Sequence, residues 1–490
     1  MKHPELLVCL LFVVGRVIGR ASVSVQDSSP IEDDSPYEIE DIIAEESETA
    51  VKTLEPQEQL SEEDAEATPQ TRVLYNGNQL WKTIVDSVDK MQILLKLRDE
   101  NDISTWGGNT TSIDILVKPG SLEKVATTLS NYNIRYEILI DDLQRAIDEE
   151  NPPVDTSETV DRQGHRLTWN SYHRMDDVLD YLQFAATTYP DLVTLKTIGN
   201  SVQGRPIKLV KISNGNPGNK AIWVDGGIHA REWITPATVT YIINYLTLKF
   251  ESEPDYVQNI DWYIVPVANP DGYEYSHTVD RLWRKNRARS GQCSGTDLNR
   301  NFGYKWGGQG SSKNPCSETY GGYSAFSEPE TAAIQRFIKA PTYQNGDKNG
   351  SPYCTKPNRM ILSRQAPLLS GRLTSPSTLT ASTSYTRGGY NRVVPPDYKD
   401  LEVVATKAAA AIRSAGGPAY TVGPAANTLY PASGGSDDWA KGTMRMKYAY
   451  TIELRDNGRY GFVLPSSYIN PTAQEALAAL RVIAEAAAKA

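Results

Sequence analysis

His229 and Glu232 stand three positions apart in Gly226-Gly227-Ile228-His229-Ala230-Arg231-Glu232-Trp233-Ile234. An imidazole nitrogen and a carboxylate oxygen are both good zinc donors, and a catalytic zinc usually takes three protein ligands plus water. The pair therefore reads as two ligands of one metal ion, in need of a third from elsewhere. His-x-x-Glu alone is a short pattern that chance produces often. A second residue of interest is Glu453, which follows the apolar run Tyr448-Ala449-Tyr450-Thr451-Ile452. A carboxylate at the end of a buried strand is costly unless it is paired or functional.

The elements that must position these groups follow from periodicity. Residues 221–224 form an apolar run that predicts a buried strand, and a helical pattern runs over 235–250, so His229 and Glu232 fall on the bend between them. Further strands are predicted at 207–212 and 262–267. Met175, Val178, Leu179, Leu182 and Ala185 fall on one helical face. The alternation predicts an α/β fold with a mixed, mainly parallel sheet and helices on both faces. Such folds carry their sites at the carboxyl ends of strands. Asn470-Pro471 reads as a cap and first-turn proline opening a terminal Ala-rich helix. Ahead of this region, strands at 80–85, 113–117 and 136–140 alternate with helices at 88–98 and 121–132, which predicts a small α/β open sandwich over 72–150. Residues 151–163 read as a linker. Arg162 and Arg166 offer a trypsin-like protease a cut there.

At 490 residues the chain needs more than one domain. Residues 1–21 have the charge, short apolar core and small residues of a secretory signal peptide. The net charge of −10 is uneven. Residues 22–70 carry sixteen acidic side chains against Lys52 alone, so the remainder is slightly basic. That acidic stretch, to about residue 71, is too polar to offset the entropy of ordering it. Cys293 and Cys316 flank a Gly-, Ser- and Asn-rich loop, which in a secreted protein favours a disulfide. Cys9 leaves with the signal, and Cys354 is left over. Asn109-Thr110-Thr111 is a glycosylation sequon, with Asn109 as acceptor. No further apolar run is long enough for a membrane span. Nothing in the charge pattern points to nucleic acid.

Together these segments resemble the secreted zinc carboxypeptidases of the pancreatic A/B type. The resemblance covers 169–340 and 401–487, with 72–148 similar to their propeptide. It implies His229 and Glu232 as zinc ligands and Arg231 as a contact to the peptide. Leu282-Trp283-Arg284-Lys285 resembles the segment whose arginine polarises the scissile carbonyl, here Arg284. Thr296-Asp297-Leu298-Asn299-Arg300-Asn301-Phe302 resembles the segment that grips the terminal carboxylate through Asn299 and Arg300. A planar guanidinium suits that task better than an ammonium. Tyr430 corresponds to a tyrosine that closes over substrate, and Glu453 to the general base and acid. Asp437, in Gly434-Gly435-Ser436-Asp437-Asp438-Trp439, stands where B-type enzymes carry an aspartate that selects C-terminal Lys or Arg. The implied protein is a monomeric zymogen with one Zn²⁺, acting on peptide C-termini after an activating protease removes 72–150. The catalytic domain would span 164–490, without membrane or nucleic-acid partners.

The sequence departs from that pattern in one place. The family's third ligand is a histidine beyond Cys316, yet the five histidines are His3, His165, His173, His229 and His277. The absence coincides with 341–400, a Ser/Thr/Pro-rich, basic, aperiodic stretch that matches nothing in the family. Two readings follow. Either the stretch is a misread segment of an intact enzyme, or the chain is a catalytically impaired relative that binds peptides.

Overall fold

The computed structural model describes residues 71–108, 112–153, 164–340, 358–363, 378–381, 395–424, 432–456 and 458–490, with backbone only in 358–363 and 378–381. Asn109, Tyr430, Cys354, Arg162, the signal segment and the acidic stretch lie outside the described residues. The described residues belong to one compact unit.

The N-terminal part is a four-stranded antiparallel sheet: β1 (Gln79–Ile84), β2 (Ile103–Gly108), β3 (Ser112–Val117) and β4 (Tyr136–Ile140), in the order β2-β3-β1-β4. Helices α1 (Val88–Asp99), α2 (Leu122–Asn131) and α3 (Leu143–Glu150) complete it. Side chains alternate along a strand. Thus Ile113, Ile115 and Val117 of β3 join Leu94, Leu97, Val125 and Leu129 under α1 and α2. On the opposite face, Leu80, Trp106, Leu116 and Ile140 pack with Leu282, Phe462 and Val463 of the larger body. The sheet thus has two buried faces, one for its own core and one for docking.

The larger body is built on an eight-stranded sheet. Its strands are β5 (Val193–Asn200), β6 (Pro206–Ile212), β7 (Lys220–Asp225), β8 (Ile260–Val265), β11 (Asn358–Ser363), β12 (Thr378–Ala381), β13 (Thr421–Pro424) and β14 (Ala449–Glu453). A separate two-stranded ribbon, β9 (Arg289–Ser290) and β10 (Cys293–Ser294), precedes β11. The order is β13-β12-β14-β11-β7-β8-β6-β5, and the central run β14-β11-β7-β8 is parallel. Helices α4 (Met175–Thr188), α5 (Ile234–Lys249), α6 (Pro270–Thr278), α7 (Pro329–Lys339), α8 (Tyr398–Ser414), α9 (Ser436–Gly442) and α10 (Ile469–Ala488) surround it.

Both sheet faces are covered, which is why β7 reads as an unbroken apolar run. Ile222 and Val224 face the cluster under α4, α5, α8 and α10, whereas Trp223 faces the one with Ile334, Ile338 and Trp439. The fold is the expected mixed α/β sheet with helices on both faces. One stretch carries strands that its pattern does not announce, and one local expectation fails. The aperiodic stretch contains two sheet strands, β11 and β12, because six and four residues can be held by neighbouring backbones without a period of their own. Asn470 does not cap the last helix: α10 begins at Ile469 after a 3₁₀ turn, and the Asn470 side chain donates to the Trp169 carbonyl, 3.0 Å away. No described helix is long and apolar enough to cross a membrane.

Candidate active site

The turn after β7 is built for close approach. A Cβ on Gly226 would come within 2.8 Å of Val239, and Gly227 has φ +63° with Pro236 at 3.0 Å from its notional Cβ. Two glycines therefore let the strand end fold directly onto the start of α5. Thr235 Oγ1 accepts from Gly227 N (2.9 Å) and donates to the Glu232 carbonyl (3.0 Å), which fixes the loop between them.

Within that loop His229 and Glu232 are fully buried, with Nδ1 and Oε1 2.9 Å apart. The other ring nitrogen, Nε2, lies 3.1 Å from Asp297 Oδ1. Asp297 organises the surroundings. Its Oδ2 accepts from Arg284 Nε (3.2 Å) and Nη2 (2.8 Å), and Oδ1 accepts from Asn299 N (3.0 Å). Arg300 Nη1 stands 3.9 Å from Oδ2. Burial pushes the Asp297 carboxyl up, but the guanidiniums of Arg284 and Arg300 and the His229 ring outweigh it and hold it well below the usual range.

Asn299 Oδ1 accepts from Ser436 N (2.9 Å) and Ser436 Oγ (3.0 Å), tying it to the first turn of α9, where Asp437 is buried. Gly434 makes this approach feasible: with φ +74°, a Cβ there would sit 2.3 Å from the Arg300 carbonyl oxygen. Arg231 Nη1 donates to the Leu282 carbonyl (3.1 Å) and Glu318 Oε2 (3.3 Å), and its guanidinium covers the Phe462 ring at 4.1 Å. Glu453 is the buried last residue of β14, in register with Ser363, the last residue of β11. The structure thus joins His229, Glu232, Arg284, Asn299 and Arg300 through one network, with Asp437 the chain neighbour of Ser436, which Asn299 holds. It brings Glu453 to the same end of the parallel strands, and leaves Arg231 beside the network. Cys293 and Cys316 are bonded to each other.

Asp297 is the residue that sequence reading passed over. Its signal was available: two arginines destined for burial require a counter-charge, and Asp297 lies in their segment. Sequence reading also gave no hint of the contacts made by the docking sheet. Glu150 at the end of α3 and Arg281 form a fully buried ion pair. Arg281 also donates to the Arg231 and Phe462 carbonyls and stacks over Trp233. Tyr75 Oη donates to Asp280 Oδ1 at 2.7 Å. Of the two candidate cut points, Arg166 pairs with Asp177 and Asp180 and lies between the buried neighbours His165 and Leu167.

The donor set fits zinc in part. Two ligands at 2.0–2.2 Å from one ion can sit about 3 Å apart, as His229 Nδ1 and Glu232 Oε1 do. A carboxylate on the second ring nitrogen is the usual partner of a metal-bound histidine. A third donor does not appear: among the described residues no group of three or more His, Cys, Asp or Glu could hold an ion. His165 packs on Tyr181 and Phe184, His173 bonds Asp177, and His277 stacks on Trp233. Residues 355–396, which contain β11 and β12, have no His, Cys, Asp or Glu at all.

Residues 178–479 match the zinc carboxypeptidase family, and residues 81–150 match the carboxypeptidase activation peptide. Carboxypeptidase B of Astacus astacus is 40% identical over 321 residues, covering 65% of this chain and 97% of that protein. Carboxypeptidase A4 of Mus musculus is 36% identical over 420 residues, covering 84% and 93%. The crystal structure of thrombin activatable fibrinolysis inhibitor superposes with a TM-score of 0.72 at 29% identity, covering 85% of this chain and 100% of that one. With its mixed sheet, its two-donor turn after β7 and its docked N-terminal sheet, the chain belongs to the zinc carboxypeptidase family.

Proposed function

We propose that this chain is the zymogen of a secreted zinc carboxypeptidase that releases C-terminal residues, with a preference for Lys and Arg. Family membership makes peptide hydrolysis the reaction class and Zn²⁺ the cofactor. The observation that carries the finer reading is the tie from Asn299 to Ser436. It makes the proposed carboxylate grip, Asn299 and Arg300, one rigid piece with the helix turn carrying Asp437. A chain end gripped there would present its last side chain to a buried carboxylate, which rewards a cation. The grip also accounts for exopeptidase action, since only a terminus offers a free carboxylate.

The roles of the chain's own groups follow. His229 and Glu232 would hold the zinc ion, which would supply Lewis acidity and make a water easier to deprotonate. Glu453 would take a proton from the attacking water and deliver it to the leaving amine as the C–N bond breaks. Arg284, held by Asp297, faces negative charge as it develops on the carbonyl oxygen. The test compares peptides that differ only in a C-terminal Arg, Lys or Phe, after trypsin and at saturating zinc. Arg and Lys should be favoured over Phe by roughly 100-fold in kcat/KM, and Asp437→Ala should remove that advantage. Comparable cleavage of Arg and Phe peptides by the unaltered chain would sink the preference.

A second reading, a secreted peptide-binding relative without turnover, is favoured by the missing third donor. Elemental analysis after gel filtration, alongside hydrolysis before and after trypsin, separates the two. Activity that appears after trypsin and vanishes with chelator supports the enzyme; stoichiometric peptide binding without turnover supports the relative. We take the end of β11 as the position for a third ligand. Ser363 ends β11 between the carboxyl ends of β7 and β14 and pairs in register with Glu453. Ser363→His is expected to raise zinc affinity at least 10-fold, on the scale on which metal sites respond to single residues. Unchanged zinc retention in that variant would show that the site is completed elsewhere.

A further inference from the structure

We propose that Asp114 makes docking of the N-terminal sheet onto the catalytic body pH-dependent, holding the two together in acid and loosening them toward neutral pH. The proposal rests on reading 72–150 as an activation peptide. Asp114 occupies a position in β3 that, by alternation, shares a face with Leu116, the face turned toward the catalytic body. It is 7% exposed, and its Oδ1 is buried without a hydrogen-bond partner. The carboxylate abuts the loop that follows β14: a Cβ on Gly458 would lie 2.8 Å from Asp114 Oδ2. The same loop carries Asp456, whose Oδ1 accepts from Gly458 N (3.1 Å) and whose Oδ2 accepts from Tyr460 N (2.8 Å). Two carboxylates therefore flank one glycine across the docking surface. The neighbouring contact is tight: a Cβ on Gly461 would meet Trp106 at 2.7 Å and Leu80 at 3.0 Å.

The charged groups facing Asp114 are Lys82, its register partner on β1, and Asp456; on β2 its partner is Gly107. Burial pushes the Asp114 carboxyl up to about 6, with Lys82 drawing it back and Asp456 adding to the rise. Undocking exposes the side chain and removes Asp456, returning it toward an ordinary aspartate near 3.8. The docked state therefore holds the proton more tightly. Its full affinity is present below the undocked pKa, falls as pH rises between the two values, and stays at its lower level above about 6. The Glu150–Arg281 pair supports docking across this range, and Asp114 sets how firmly.

The test uses the full chain nicked by limited trypsin digestion. Fragment dissociation is followed by gel filtration on dilution at matched ionic strength, between about pH 4.5 and 7.5. The dissociation constant should rise roughly 10- to 100-fold with pH, the range given by a shift of about two pKa units. Asp114→Asn should abolish the dependence and hold the fragments more tightly at neutral pH. Lys82→Gln, which removes the compensating cation and keeps Asp114, should steepen it. Equal dissociation at both ends of the range, or an unchanged slope in Asp114→Asn, would overturn the proposal. Because the readout is dissociation, a failure of the carboxypeptidase reading would appear separately, in the hydrolysis assay.

Discussion

Replacing Asp297 with alanine is expected to destabilise the catalytic body by about 3–5 kcal/mol, the range for removing one partner of a buried ion pair. Asp297 is completely buried and is the anion to which Arg284, itself 2% exposed, is bound. Arg300, equally buried, is 3.9 Å away. Without the carboxylate, Arg284 would lose the anion it is bound to, and Arg300 and the His229 ring would lose a neighbouring negative charge. The measurable result is a fall in thermal midpoint of roughly 5 °C for a body of this size. Zinc affinity should also fall about 10- to 100-fold, because His229 loses the acceptor that orients its ring. A cycle with Arg284→Ala sharpens the test. The double variant should be less destabilised than the sum of the singles, because removing both charges leaves one fewer orphan. Additive effects, or an Asp297→Ala variant within about 1 kcal/mol of the parent, would mean that the network is not what holds these arginines.

The contrast between Asp297 and its neighbours shows what can be read from sequence. The turn after β7 was legible because a two-sided sheet writes a continuous apolar run, and the helix after it writes its own period. The sequence alone therefore puts His229 and Glu232 at a strand end. The docking face was not legible in the same way. Glu150 and Arg281 are 131 positions apart, and no local period links them. β11 is not legible because Met360-Ile361-Leu362 is too short to stand out among polar and basic neighbours. Only the backbones of β7 and β14 on either side define it. Asp114 shows the converse: the pattern Ile-Asp-Ile-Leu-Val announces a strand, but the cost of the aspartate appears only when the opposite face is covered.

Glu453→Gln is expected to lower kcat about 10³-fold, or ~4 kcal/mol of barrier, within the range assigned to a positioned general base. The proposed role rests on place. Glu453 is 4% exposed at the end of a central strand, level with Ser363 on one side and Thr378 on the other. The sheet fixes the backbone of Glu453 at the end of the parallel strands where His229 and Glu232 lie, which is where a general base would be needed. Glutamine keeps the shape and a carbonyl acceptor but cannot take a proton at ordinary pH. KM for an Arg-terminated peptide should therefore move less than about 3-fold, since binding is assigned to Asn299, Arg300 and Asp437. The limb of the kcat profile that reports ionisation of the base should vanish in the variant. A purely structural glutamate would behave differently: its loss would shift the thermal midpoint and KM together and leave the shape of the pH profile intact. Glu453→Asp adds a directional check. It keeps the acid but draws it back by one methylene, so it should recover part of kcat and restore the pH limb. A variant series in which Gln and Asp are equally active would remove Glu453 from the chemistry.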